Sequence, residues 1–205
     1  MSETKRHSIF PLPGAILFPG LQLPLHIFEQ RYRDLVGSAL AKDRLIGMVQ
    51  PQRSGEGSPL YEIGCLGRIG DVEAMEDGRY NIVLEGETRF RVLRELEVTT
   101  AFRQVEAELI DDPQNEVLAS VERAGFEFEA KRFAAMQGYS VDWDSVERLD
   151  DETLINGVAQ IAPFDSAAKQ ALLEANSLSE RCELMIQLMQ FFALRDDGDE
   201  IITLQ

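Results

Sequence analysis

The run Asp77-Gly78-Arg79-Tyr80-Asn81-Ile82-Val83-Leu84-Glu85-Gly86-Glu87-Thr88-Arg89-Phe90-Arg91-Val92 decides the fold of the first half of this chain. Asp-Gly is the dipeptide of a tight hairpin turn, because glycine accepts a positive φ without steric penalty. From Glu85 to Val92, charged residues alternate with apolar or small ones, so one face meets solvent and the other packs inward. The stretch therefore predicts a half-buried antiparallel strand, reached by a hairpin from a strand over 62–74. Arg89 and Arg91 share a strand face with Glu85 and Glu87, which predicts cross-strand ion pairs.

Strand-like runs continue outward on both sides, at 8–12, 22–27, 45–49, 62–74, 80–96 and 102–110. Pro11, Pro13, Pro19 and Pro24 mark the first two as edge or initial strands. One segment breaks this pattern: Phe28, Tyr32, Leu35, Val36, Ala39 and Leu40 recur at helical spacing, which predicts an amphipathic helix inserted among the strands. Beyond Asp111-Asp112-Pro113 the period becomes helical throughout. Val117, Val121, Ala124, Phe128, Arg132 and Ala135 share one face, residues 138–144 interrupt it, and helices follow over 150–162, 165–176 and 178–195. Ser177 with Glu180 forms a capping signature for the last of these. Its apolar residues, Leu178, Cys182, Met185, Met189 and Phe192 with Leu184, Leu188 and Phe191 beside them, predict packing from two sides. The expected organisation is α+β: a mobile N-terminus over 1–7, a β-rich part over 8–112, a helical part over 113–195 and an acidic tail over 196–205.

The 205 residues hold 36 Asp plus Glu against 20 Lys plus Arg, a net charge of -16. Residues 1–110 carry 13 basic and 16 acidic groups, whereas residues 111–205 carry 7 and 20, so the acidity sits in the helical part. Such a surface repels phosphate backbones and anionic lipid, which argues against nucleic-acid and membrane partners. No apolar run is long enough to cross a bilayer, and prolines cut the N-terminal apolar stretch where a signal peptide needs continuity. A cytoplasmic protein is expected, with Cys65 and Cys182 as buried free thiols.

Motifs for catalysis are missing. There is no Gly-Lys pair for a phosphate loop, Gly55-Glu56-Gly57 lacks the third glycine of a dinucleotide loop, and Gly-x-Ser-x-Gly is absent. His7 falls in the expected mobile terminus, and His26, at a strand-to-helix junction, is read as bonding nearby backbone. The cysteines and histidines lack the short spacing of a zinc site, and the 196–200 run lacks that of a calcium loop. Glu127 with Glu129, Asp142 with Asp144, and Asp150 with Asp151 and Glu152 are read as solvated faces and helix N-terminal charges rather than acid/base pairs. The reading contains no catalytic residue, no metal and no cofactor.

Several segments form a set in order: Ile9-Phe10-Pro11-Leu12, Leu17-Phe18-Pro19-Gly20, Leu23-Pro24-Leu25-His26-Ile27-Phe28-Glu29-Gln30-Arg31-Tyr32, Leu60-Tyr61-Glu62-Ile63-Gly64-Cys65-Leu66-Gly67-Arg68-Ile69 and 77–90. Together with 168–174 and 179–184, they resemble the N-terminal substrate-binding domain of the Lon protease family, especially its free-standing bacterial relatives. The resemblance spans residues 9–193. It implies a PUA-like antiparallel β-barrel followed by a C-terminal α-helical bundle, and a non-catalytic module that recognises polypeptide, since the chain stops where the ATPase and protease modules would begin. The implied partners are unfolded or hydrophobic polypeptide segments and a protease or chaperone, and the reading leaves room for a homo-oligomer. Leu17, Phe18 and Leu21 are the expected polypeptide-binding residues, presented at a groove. The alternatives are a structural or assembly protein, and an RNA- or nucleotide-binding PUA-like protein.

Limited proteolysis should cut within 111–115 or 138–144 before it cuts the β-rich part; a first cut within 82–92, seen by mass spectrometry, would show that the stable core lies elsewhere.

Overall fold

The computed structural model describes residues 4–55, 57–113 and 116–199. Along the chain run β1 (Thr4–Pro11), β2 (Gln22–Ile27), α1 (Gln30–Leu40), β3 (Leu45–Val49), β4 (Ile63–Ala74), β5 (Tyr80–Glu95), β6 (Gln104–Leu109), α2 (Ser120–Met136), α3 (Trp143–Val146), α4 (Asp151–Ile161), α5 (Ser166–Glu174) and α6 (Leu178–Asp199). Two compact units result: Met1–Asp112 with Asp165–Leu173, and Pro113–Phe164 with Glu174–Gln205. The helical part expected as one continuous stretch thus gives most of α5 to the first unit.

In the first unit six strands form one sheet in the order β2-β5-β4-β3-β1-β6, and β6 pairs with β5 as well as with β1. β5 is long enough to serve three neighbours: Tyr80–Glu85 pair with β2, most of its length with β4, and its end with β6. The wholly antiparallel arrangement expected from sequence needs one correction. β1 and β3 run parallel, Ile9 opposite Gly47 and Pro11 opposite Val49, so the sheet is mixed. The connection between them passes through β2 and α1, long enough to bring the chain back in the same direction. Residues 4–7, expected to be mobile, belong to β1 and pair with β6, with His7 opposite Val105; residues 1–3 lie outside the described residues. β2 has β5 as its partner and forms an edge, where Pro24 is tolerated.

The turn at Asp77-Gly78 is wider than the expected two-residue hairpin. Gly78 takes a φ of +79° and donates its N–H to Met75 O at 2.9 Å, while Met75 N–H bonds Arg79 O at 2.9 Å, enclosing Glu76–Gly78 as a three-residue loop. α1 buries Tyr32, Leu35, Val36 and Ala39 against Phe10, Ile46, Met48, Ile82 and Leu84. Phe28, expected on that face, precedes the helix and is exposed.

Two sets of buried polar groups hold α5 to the sheet. Gln50 Nε2 donates to Ser166 O and to Gln170 Oε1, both at 3.1 Å, and Gln170 Nε2 donates to Ile63 O at 3.0 Å. Arg89, only 4% exposed, forms two hydrogen bonds to the Asp112 carboxylate, at 2.8 and 2.5 Å, and a third to Leu173 O at 2.5 Å. The expected cross-strand ion pairs form at Glu87 with Arg68 and at Arg91 with Glu62, but Arg89 departs from them: a buried guanidinium takes a partner that comes inside with it, Asp112.

In the second unit α2 and α6 run parallel, since Glu122 bonds Ser179 and Glu129 bonds Gln190 further along both helices. The core consists of Phe126, Ala130, Phe133 and Ala134 from α2, Leu154, Ile155 and Ala159 from α4, and Leu178, Cys182, Met185 and Met189 from α6. The α2 face expected to be buried is the outer one: Val121 is 78% and Phe128 66% exposed. α2 is apolar on two sides, and the side carrying Phe126 and Phe133, seven residues apart, is the one the other helices cover. On α6 the second stripe is only half-buried at Leu184 and Leu188 and open at Phe191, so the expected packing from two sides does not extend along the helix. Ser177 caps α6 as its spacing suggested, accepting from Glu180 N at 3.1 Å, while Glu180 accepts from Asn176 N.

Leu17 and Phe18 close the sheet core from the loop before β2, a loop pinned to β5 by Gly20 N–H to Gly86 O and Gly86 N–H to Leu21 O, at 2.9 and 2.8 Å. A Cβ at residue 86 would stand 2.1 Å from Phe18 O, so this approach requires glycine. Phe18→Ala should lower the unfolding free energy by about 3–5 kcal/mol, read from urea denaturation; a loss under about 1 kcal/mol would show that Phe18 is not a core anchor.

Candidate functional site

Leu17 and Phe18, expected to contact polypeptide, are 1% and 0% exposed. Their side chains fill the core, and Leu21 is half-buried. Leu17 and Phe18 therefore have no free apolar surface to present, while Leu21 keeps part of its side chain open. An apolar loop sequence can be exposed for binding or folded inward; Gly86 decides it here by admitting Phe18 to the sheet.

The second unit presents a cleft of about 680 Å³. Its floor is the inner face of α2, with Phe126, Ala130 and Phe133, and Leu154, Gly157 and Val158 of α4, closed at one side by Met189 of α6. Its wall is formed by Tyr139, Val141 and Trp143 from the segment expected only to break a helix, with Val146 and Leu149 just beyond it. Ile161, 80% exposed, and half-exposed Tyr139 stand at the mouth. Most of the lining is apolar; Glu127, Ser140 and Thr153 are polar members, and Tyr139 and Trp143 add a hydroxyl and an indole N–H. The position of Gly157 leaves a hollow, since nothing lies within 4 Å of where its Cβ would be.

Charged groups hold this wall in place. Arg123 reaches from α2 to Leu149 O at 2.9 Å and pairs with both Glu127 and Asp151, which raises its pKa, chiefly through the hydrogen bond to Asp151. Asp151 also accepts from Leu118 N at 2.8 Å. Lys131 Nζ stands 5.5 Å from the centre of the Trp143 ring and 3.9 Å from Glu147, a cation–π contact that clamps the indole against α2. Asp142 caps α3 by accepting from Ser145 N and Oγ, and Asp150 caps α4 by accepting from Thr153 N and Oγ1. Both carboxyls sit below the usual aspartate range: the Ser145 side chain is the main cause for Asp142, the Thr153 N–H for Asp150. These carboxylates are the helix N-terminal charges the sequence suggested. Glu129 is different, for it is buried and accepts from Gln190 Nε2 at 3.2 Å.

His26 bonds a side chain, not backbone: its Nδ1 lies 2.7 Å from Asn81 Oδ1, and Asn81 Nδ2 donates to Glu73 at 2.7 Å. Because a carboxylate only accepts, Asn81 must turn its oxygen to the ring, and Nδ1 carries the proton. Cys65 and Cys182 are buried free thiols, Cys182 pushed up to about 11 by burial and secondarily by Glu122. Among the described residues, no helix is long and apolar enough to cross a membrane.

Residues 7–190 match the family described as the ATP-dependent protease La (LON) substrate-binding domain. The chain belongs to this Lon family. It is 27% identical to Lon protease 2 of Myxococcus xanthus over 191 residues, 88% of this chain and 23% of the relative. It is 30% identical to the Lon protease of Anaeromyxobacter dehalogenans over 192 residues, again 88% of this chain and 22% of the relative. The chain thus spans less than a quarter of the length of these two curated relatives. A Lon N-terminal domain protein from Xanthomonas campestris has the same fold, with a TM-score of 0.67 at 22% identity, covering 91% of this chain and 98% of the other. So does the N-terminal domain of Mycobacterium avium complex Lon protease, at a TM-score of 0.68 and 21% identity.

This Lon-family domain carries one histidine with an unmet hydrogen bond. His7 is 7% exposed, and its Nε2 has no partner among the described residues. Burial holds its pKa below the ordinary value, Lys5 acts in the same direction and Asp43 opposes both. The unfolded chain therefore binds this proton more readily. Stability is fully present above the unfolded value, about 6.5, and is lost as pH falls through the folded one. The melting temperature should drop between about pH 7.5 and about pH 5.5, and drop less in His7→Gln; equal drops in both proteins would clear His7 of the effect.

Proposed function

We propose that this protein is a non-catalytic polypeptide-recognition module of the Lon type, and that the apolar cleft of its helical unit is where polypeptide docks. One observation carries the reading: a large open apolar hollow in the most acidic part of the chain. A domain of this size ordinarily buries such surface unless something else covers it. In the same reading the six-stranded unit is a PUA-like barrel, supported by β6 pairing with both β1 and β5. The protein is proposed to work in the cytoplasm, handing segments to a protease or chaperone. The acid excess disfavours RNA as a ligand, and the missing phosphate loop and nucleophile motifs support the absence of ATPase and peptidase activity.

Trp143 is the protein's single tryptophan and lines the cleft, so its emission reports occupancy. Titration with an unstructured hydrophobic peptide should shift that emission, and Gly157→Leu should weaken binding about tenfold or more by filling the hollow. The substitution suits a helix interior, so its circular dichroism should match the wild type. A folded Gly157→Leu that binds normally would remove the cleft from the site. Wild type that binds no peptide would favour the assembly role.

A further inference from the structure

The cleft also constrains the conformation and charge of its occupant, resting on the reading that polypeptide docks there. Any main chain entering an apolar cleft must keep its N–H and C=O groups hydrogen-bonded, or lose several kcal/mol for each, by an order-of-magnitude estimate. An extended segment meets this need by pairing with a strand edge. Among the described residues the second unit contains no strand, and the cleft lining offers side chains rather than a sheet edge: Glu127, Ser140, Thr153, the Tyr139 hydroxyl and the Trp143 indole N–H. Glu127 is already engaged with Arg123, and Thr153 Oγ1 with Asp150. With no strand edge to pair with, the occupant that fits is one that brings its own main-chain hydrogen bonds, and a helix does so.

The volume agrees. About 680 Å³ exceeds what one side chain fills and suits a row of apolar side chains at i, i+3 or i+4, and i+7 laid along a groove between helices. The charge around the wall settles the polar face of that helix. Residues 139–152 contain Asp142, Asp144, Glu147, Asp150, Asp151 and Glu152 against a single base, Arg148. The nearest cations, Arg123 and Lys131, are held by Glu127, Asp151 and Glu147. Asp142, Asp144 and Glu147 are exposed.

We propose that the cleft binds a basic amphipathic segment that is helical when bound, its apolar side chains in the hollow over Gly157 and its Lys or Arg residues against Asp142, Asp144 and Glu147. The same carboxylates repel a second copy of this unit and acidic helices. Attraction between exposed charges acts mainly on encounter and fades with salt, while the apolar contact sets the lifetime.

The test uses the full chain and three labelled peptides of equal length. One carries Leu and Phe at i, i+3, i+4 and i+7 with Lys elsewhere; the second has the same composition with the apolar residues scrambled; the third keeps the apolar pattern with Glu for Lys. Anisotropy and circular dichroism of the mixtures are read at low and high salt. The first peptide should bind with a gain of helicity, at least about tenfold more tightly than either control. Asp144→Asn with Glu147→Gln should reduce that preference and its salt dependence without changing Gly157→Leu sensitivity. If the scrambled or acidic peptide binds as well as the first, and Gly157→Leu still blocks it, the helical basic occupant is wrong and the cleft remains the polypeptide site. If no peptide of any kind binds, both the occupant and the proposed function fall.

Discussion

A guanidinium shut away from water is the constraint around which the sheet unit is arranged. Arg89 points inward from β5, and a buried charge of this kind persists only if a countercharge and further acceptors come in with it. Asp112 supplies the carboxylate and Leu173 a carbonyl, so the residue that ends the first stretch of the unit and the residue that ends its second stretch meet one side chain. The Gln50 and Gln170 amides repeat this logic from the other end of α5, at Ile63 and Ser166. A helix distant in sequence thus becomes part of the sheet's own fabric, held by these buried polar groups.

How much of this was legible depends on range. The strands and α1 follow from local alternation and spacing, and their observed bounds lie within a few residues of those read from the chain. Pairings that depend on distant segments were not legible: the parallel β1–β3 contact, β1 reaching back to Thr4, and Arg89 turning inward to Asp112 rather than to a cross-strand partner on the solvent face. α2 shows a different limit. Both of its sides are apolar, and nothing in seventeen residues says which one α4 and α6 will cover.

The proposed cleft was not legible for a related reason. Leu17 and Phe18 drew attention as apolar residues among prolines and a glycine, a pattern shared by binding loops and by loops that plug a core. The segment 138–144 looked like a mere interruption. Its aromatic content, Tyr139 and Trp143 within a few residues of Gly138, was the available signal, because large rings in a connection must rest against something. In this fold they rest on α2, with Lys131 over the indole. The carboxylates of the same segment serve two ends at once, capping short helices and setting the sign of the field at the cleft mouth.

The edge strand β2 carries a consequence of its own. Its central residue, Pro24, has no N–H, and an edge short of a donor is a poor template for another chain. An unblunted edge would invite extended segments of other chains to add themselves to the sheet, one strand after another, into fibrous aggregate. With that edge blunted, the sheet does not become a seed for other chains.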